Sequence, residues 1–152
     1  MNDDIYQRYT EMTGLEFLRE LIARGDASPM GQLMNLRVVD VSEGRAVVEG
    51  IPDARFYNTM RRMHGGFAAT LIDTGLGCAV MSKLGKGVGY GTIELKVNFV
   101  RKIDVETGPV ICTANVLHAG RTMLTAECKV TDKAGQLCAH GSGTFLVYPK
   151  QG

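Results

Sequence analysis

Leu15, Leu18, Leu21 and Ile22 recur at three- and four-residue steps, a spacing that predicts an amphipathic helix over residues 13–24, stopped by Gly25-Asp26. Two short runs rich in β-formers follow, 33–41 and 45–51, and Ser42-Glu43-Gly44 between them reads as a hairpin turn. A loop is expected over 52–63. Residues 66–83 form the most apolar stretch of the chain, too long for a strand and apolar all round, so a buried helix is predicted there. Residues 92–99 then alternate polar and apolar, as a strand with one face on a core would. Three further runs of strand type, 110–118, 123–131 and 137–147, are separated by turns at His118-Ala119-Gly120-Arg121 and Asp132-Lys133-Ala134-Gly135. Consecutive strands with short connections favour an antiparallel meander. The expected fold is therefore α+β: a long central helix wrapped by a curved antiparallel sheet of five to six strands, with an added N-terminal helix. The expected division is a helical extension at 1–30 and the main domain at 31–149.

Composition narrows what such a fold does. With 152 residues the chain holds one domain, and 45% hydrophobic with 22% charged residues excludes disorder. Seventeen basic and sixteen acidic side chains leave a net charge of +1, so there is no global field for a polyanion and no basic stripe for nucleic acid. The start, Met1-Asn2-Asp3-Asp4-Ile5, lacks a basic region followed by an apolar run, and no stretch of about 18 apolar residues exists. A cytoplasmic protein without membrane contact is expected. Cys78, Cys112, Cys128 and Cys138 form no C-x-x-C pair and read as buried thiols, with Cys78 as a nucleophile the alternative. Of the 19 glycines, Gly65, Gly66, Gly75 and Gly77, with Ala68, Ala69 and Ala79, thin the apolar helix so that a sheet can close on it.

One residue breaks the apolar helix. Asp73 is the only charged side chain from Phe67 through Val80, and its helical neighbours Ala69, Thr70, Leu76 and Gly77 cannot neutralise it. A carboxylate in that setting must reach water, a distant arginine or a ligand. Nine residues earlier, His64-Gly65-Gly66 stands where the loop becomes the helix, and the free N–H groups of a helix start can polarise a carbonyl oxygen. Nine residues of helix span about 13 Å at 1.5 Å per residue, too far for one chain's Gly pair and Asp to share one carbonyl. If both act, two chains contribute.

Other chemistries fail on spacing. Gly141-Ser142-Gly143 lacks the frame of a nucleophile elbow, and Gly85, Gly87, Gly89 and Gly91 do not fit a dinucleotide fingerprint. His64, His118 and His140 show no metal-ligand spacing, so no metal is expected. Arg61-Arg62, Arg101-Lys102 and Arg121 sit at turns, as solvated charges or as phosphate contacts.

The run Asn58-x5-His64-Gly65-Gly66-x6-Asp73, with Thr92 opening a strand, resembles the hotdog-fold acyl-CoA thioesterases of the PaaI-like, phenylacetate-degradation type. The resemblance covers residues 33–148 and includes the Gly120-Arg121-Thr122 turn. It implies a hotdog thioesterase domain over 31–149, pairing into a homodimer with a continuous sheet, often a dimer of dimers (a homotetramer), with active sites between subunits. The substrate implied is an aryl, short-chain or medium-chain acyl-CoA, cleaved to the free acid and coenzyme A; coenzyme A is part of the substrate and no other cofactor is implied. Carried over by position, Asp73 is nucleophile or general base, Gly65 N–H polarises the thioester oxygen at the helix start that His64 and Gly66 flank, Asn58 holds water or the carbonyl, and Thr92 orients water. Arg101, Lys102, Gly120 and Arg121 become coenzyme A contacts. Thr92 stands where some relatives have Ser, and Asp on the central helix separates this type from the branch that uses Glu. A non-catalytic acyl-CoA module of the same fold and an enoyl-CoA hydratase-like enzyme are the alternatives. Phe56, Tyr57, Phe67, Met81 and Tyr90 are candidates for the acyl pocket.

Overall fold

In the computed structural model, which describes residues 8–148, a 3-10 turn at Arg8–Glu11 leads into helix α1, Gly14–Arg24. Thr13 caps α1 in a reciprocal box: Glu16 N–H donates to the Thr13 hydroxyl at 3.2 Å and Thr13 N–H to the Glu16 carboxylate at 2.8 Å. Gly25 ends it in the left-handed region at φ 66°. Phe17, Leu18 and Leu21 are the side chains that α1 buries, whereas Leu15 is half-exposed.

The expected strand over 33–41 starts late. Ser28 accepts from Gly31 N–H at 3.1 Å and Pro29 takes the first helical position, so 29–34 form a short helix α2, Pro29–Met34, which Asn35 closes at φ 55°. Strand β1 is therefore Leu36–Ser42, and Glu43-Gly44 turns it into β2, Arg45–Gly50. A 3-10 turn at Ala54–Phe56 interrupts the loop before helix α3, Gly65–Met81. Strands β3 (Gly89–Phe99), β4 (Val110–Ala119), β5 (Met123–Thr131) and β6 (Leu137–Tyr148) complete one sheet in the order β1-β2-β4-β5-β6-β3, with every neighbouring pair antiparallel.

Only β4-β5-β6 follow the expected meander. Helix α3 carries the chain from β2 to the far edge, where β3 pairs with β6, and the segment 100–109 brings it back so that β4 fills the free side of β2. Leu71, Ile72, Leu76 and Val80 of α3 pack into one core with Val48, Cys112, Val130 and Phe145 of the sheet. The approach is closest at Gly75, where a Cβ would stand 2.6 Å from Cys112 Sγ. A second close approach docks α1: Gly14 N–H donates to Leu84 O at 3.0 Å, and a Cβ on Gly14 would lie 1.9 Å from Met81 O.

Strand β3 departs from the expectation of one face on the core. It alternates, but as an edge strand with a bulge between Thr92 and Glu94 it has no buried residue, and Ile93 and Phe99 are 55% and 62% exposed. Among the described residues, no helix is long and apolar enough to cross a membrane.

Candidate active site

Asp73 sits midway along α3, half-buried, where the Thr92 hydroxyl donates to its Oδ1 at 3.0 Å. The contact exists because β3 runs past the middle of α3. No Lys, Arg or His pairs with Asp73 among the described residues. The carboxylate opens on a cavity of about 790 Å³, within the range of small-molecule sites. Its walls are mostly apolar and include Met81 and Tyr90 together with side chains of α1.

The neighbours report the character of this space. Burial, then the charge of Asp73, pushes the Cys78 thiol up to about 12. The Tyr90 phenol is raised well above its ordinary range, first by burial and then by Cys78 and Asp73. At neutral pH Cys78 is a protonated thiol, which removes it as a nucleophile; Cys112, Cys128 and Cys138 are buried.

His64-Gly65-Gly66 is elsewhere. His64 caps α3, its Nδ1 accepting from Gly66 N–H at 2.9 Å, so a neutral ring carries its proton on Nε2. Gly65 N–H has no partner among the described residues, as expected of the first position of a helix. Together with Phe99, Arg101 and Lys102, His64 and Gly65 line a second cavity of about 390 Å³, whereas Gly66 faces a separate pocket beside Phe56 and Tyr57. Gly65 and Asp73 are eight residues apart on one unbroken helix, about 12 Å at 1.5 Å per residue. Within one chain the two halves of the expected constellation thus face different cavities.

The remaining expected residues divide further. Asn58 shapes the loop: its Oδ1 accepts from Met60 N–H at 2.9 Å and Arg62 N–H at 3.1 Å, an arrangement that holds Arg61 at φ 54° and leaves only the Asn58 amide N–H groups for a ligand. Lys102 is held by Asp104 at 2.5 Å, whereas Arg101 is exposed in the cavity of Gly65. Gly120 and Arg121 lie at the β4–β5 turn and line neither cavity. Of the aromatic candidates, Phe56 and Phe67 stack on each other at 5.6 Å and the Tyr57 hydroxyl accepts from Val105 N–H at 3.3 Å. The α1 residues of the larger cavity had no signal beyond the apolar face of a helix. No group of three His, Cys, Asp or Glu side chains among the described residues could hold a metal ion.

Comparison with known proteins gives the family of the chain. Residues 60–139 match a family model described as the thioesterase superfamily. The chain is 33% identical over 115 residues to a Caenorhabditis elegans protein whose name proposes an esterase, covering 74% of this chain and 66% of that one, just under two thirds. It is 28% identical over 142 residues to human acyl-coenzyme A thioesterase 13, covering 89% and 96%. Among solved structures, the Escherichia coli PaaI protein of the phenylacetic acid degradation operon superposes with a TM-score of 0.76 at 20% identity, over 88% of this chain and 94% of that one, which is a likeness of fold.

Proposed function

The chain belongs to the thioesterase superfamily, a family of thioester hydrolases with the hotdog fold, and from that membership we propose that it hydrolyses acyl-coenzyme A at sites shared between two copies of itself. The observation that carries the reading is Asp73: a carboxylate without a cation, fixed by one hydroxyl and opening on an apolar cavity. A group so placed has no neighbouring cation to occupy it and keeps free lone pairs for a reacting atom in the cavity. It attacks the thioester carbonyl carbon, or takes a proton from a water that does so; either way water and thioester become carboxylic acid and free thiol.

The developing oxyanion needs a donor that Asp73's own chain places about 12 Å away. The second copy's Gly65 N–H meets that need. The outer edge of β3 supports such a pairing, since that edge is free in the single chain and Ile93 and Phe99, with Val100 just after the strand, are all more than half exposed. Arg101, beside Gly65, is then placed for a phosphate of coenzyme A. The hydratase alternative wants a histidine paired with an acid, and His64 is instead occupied in capping α3.

A thiol-release assay over aryl-, short-chain and medium-chain acyl-CoAs tests the reading. Turnover is expected with at least one of them, and its loss by about 10³-fold or more in Asp73→Asn. Absence of turnover with all of them, or undiminished turnover in the variant, contradicts it.

A further inference from the structure

The sheet does not close around α3. Its edges are β1 and β3, and the strip of helix between them carries Ala69, Asp73, Gly77 and Met81 at four-residue steps, one above the other. This strip is the floor of the larger cavity, which makes the cavity a groove along the helix axis with Asp73 in its first half. From Asp73 to Met81 the axis runs eight residues, about 12 Å. The side of the groove is Tyr90, whose hydroxyl lies 2.7 Å from where a Gly77 Cβ would be and whose ring meets Phe145 edge-on at 5.9 Å.

The groove has an end, and the N-terminal segment supplies it. Gly14 rests on the carbonyl of Met81, which sets the start of α1 against the last turn of α3. Tyr9 and Phe17 both line the cavity, their rings crossing at 5.1 Å and 73°, and the Tyr9 hydroxyl donates to Val88 O at 2.8 Å just before β3 begins. The wall is thus fastened to both elements that form the groove.

We propose that Tyr9 and Phe17 are the chain-length determinants of this enzyme: the acyl tail lies along α3 from Asp73 toward Met81, and the two rings stop it. This rests on the hydrolase reading above for the placement of the thioester at Asp73. A single C–C bond of 1.52 Å advances about 1.25 Å along an extended alkyl chain, so about 12 Å admits roughly ten carbons beyond the carbonyl. Shorter tails leave apolar wall in water, and longer ones meet the rings.

Two ladders of ligands test this. In the first, kcat/KM for thiol release is measured with straight-chain acyl-CoAs of increasing even length on the wild type, Tyr9→Ala and Phe17→Leu, with thermal melting to show that each variant is folded. The wild-type optimum is expected near ten to twelve carbons, with at least a tenfold fall by sixteen, and in each variant the optimum moves two to four carbons longer. In the second, binding of non-hydrolysable alkyl-coenzyme A thioethers is measured by calorimetry, where affinity should rise about fourfold per methylene up to the same limit and then stop. Tyr9→Ala is the variant least exposed to misfolding, because Tyr9 is half-buried and precedes α1. An optimum or affinity limit that stays put in both folded variants, or a wild-type optimum at four carbons, overturns the assignment. Loss of hydrolysis across the whole first ladder, with the second intact, overturns the hydrolase reading and leaves the groove standing.

Discussion

Replacing Gly65 with proline removes one hydrogen atom's worth of chemistry and little else. Gly65 is the first residue of α3, where proline's fixed φ suits the helix and its missing N–H breaks no intrahelical bond. The residue before a proline must be extended, and His64 already is, at φ −65° and ψ 134°. The added Cβ would stand 3.1 Å from Phe99 Cζ, a contact that an alanine at the same position makes equally. Because Gly65 N–H has no partner among the described residues, its removal costs the isolated fold no hydrogen bond. The proposed function assigns that N–H to the oxyanion, and losing one such donor costs about 10²–10³ in kcat, or about 3–4 kcal/mol. The measurement is thiol release at saturating acyl-CoA, with Gly65→Ala as the control that keeps the N–H and adds the same Cβ. A melting temperature near the wild type and a kcat lower by about two orders of magnitude or more than that of Gly65→Ala are expected. A folded Gly65→Pro enzyme with a kcat within a few-fold of the control would refute the backbone donor.

Three other outcomes follow from single contacts. Thr92→Val removes the hydroxyl that Asp73 accepts from, a hydrogen bond to a charged group of about 1.5–3 kcal/mol, so kcat should fall about 10–100-fold while Thr92→Ser recovers most of it; equal losses in both would assign the effect to packing instead. At pH 8, with the Cys78 thiol raised to about 12, only about one thiol in 10⁴ is ionised, so iodoacetamide should leave activity intact over an hour although Cys78 lines the cavity; rapid inactivation at Cys78 would show that its thiol is not held protonated. Gly14→Ala drives a Cβ into the Met81 carbonyl and should destabilise the fold by about 2 kcal/mol or more, read as a lower urea midpoint, and an unchanged midpoint would show that α1 docks loosely.

Much of the architecture is legible in the residues because each element carries its own period. The stop at Gly25-Asp26, the apolar length of α3 and the turns at Gly44 and Gly135 mark boundaries that the structure meets within a residue or two. Short-range signals also explain a miss: Ser28-Pro29 is a helix start, but six residues with no apolar period are outweighed by the β-formers that follow. Strand order is a different matter. The segment 100–109 is short enough to suggest a hairpin, and only the free side of β2 sends β4 to the middle of the sheet. Alternation in β3 predicts a half-buried strand, yet at the sheet edge the same alternation leaves both faces open in a single chain.

The site was legible only as far as chemistry is local. Asp73 stands out because nothing within a helical turn can neutralise it, and its distance from Gly65 follows from helix rise alone. That Tyr9, Phe17 and Tyr90 share a cavity with it depends on three close approaches, at Gly14, Gly77 and Val88, between residues far apart in sequence. Asn58 has a plainer local role than its spacing suggests, since its carbonyl oxygen is taken by Met60 and Arg62.

The central claim is that two copies complete each site, and mixing inactive subunits tests it directly. Asp73→Asn and Gly65→Pro chains, each nearly inactive alone, are unfolded together, refolded in equal amounts and assayed for thiol release. In a two-fold dimer half of the products pair one chain of each kind, and each of these holds one intact site, so activity should return to about a quarter of the wild type. Activity that stays at the average of the two variants would contradict a site shared between Asp73 of one copy and Gly65 of the other.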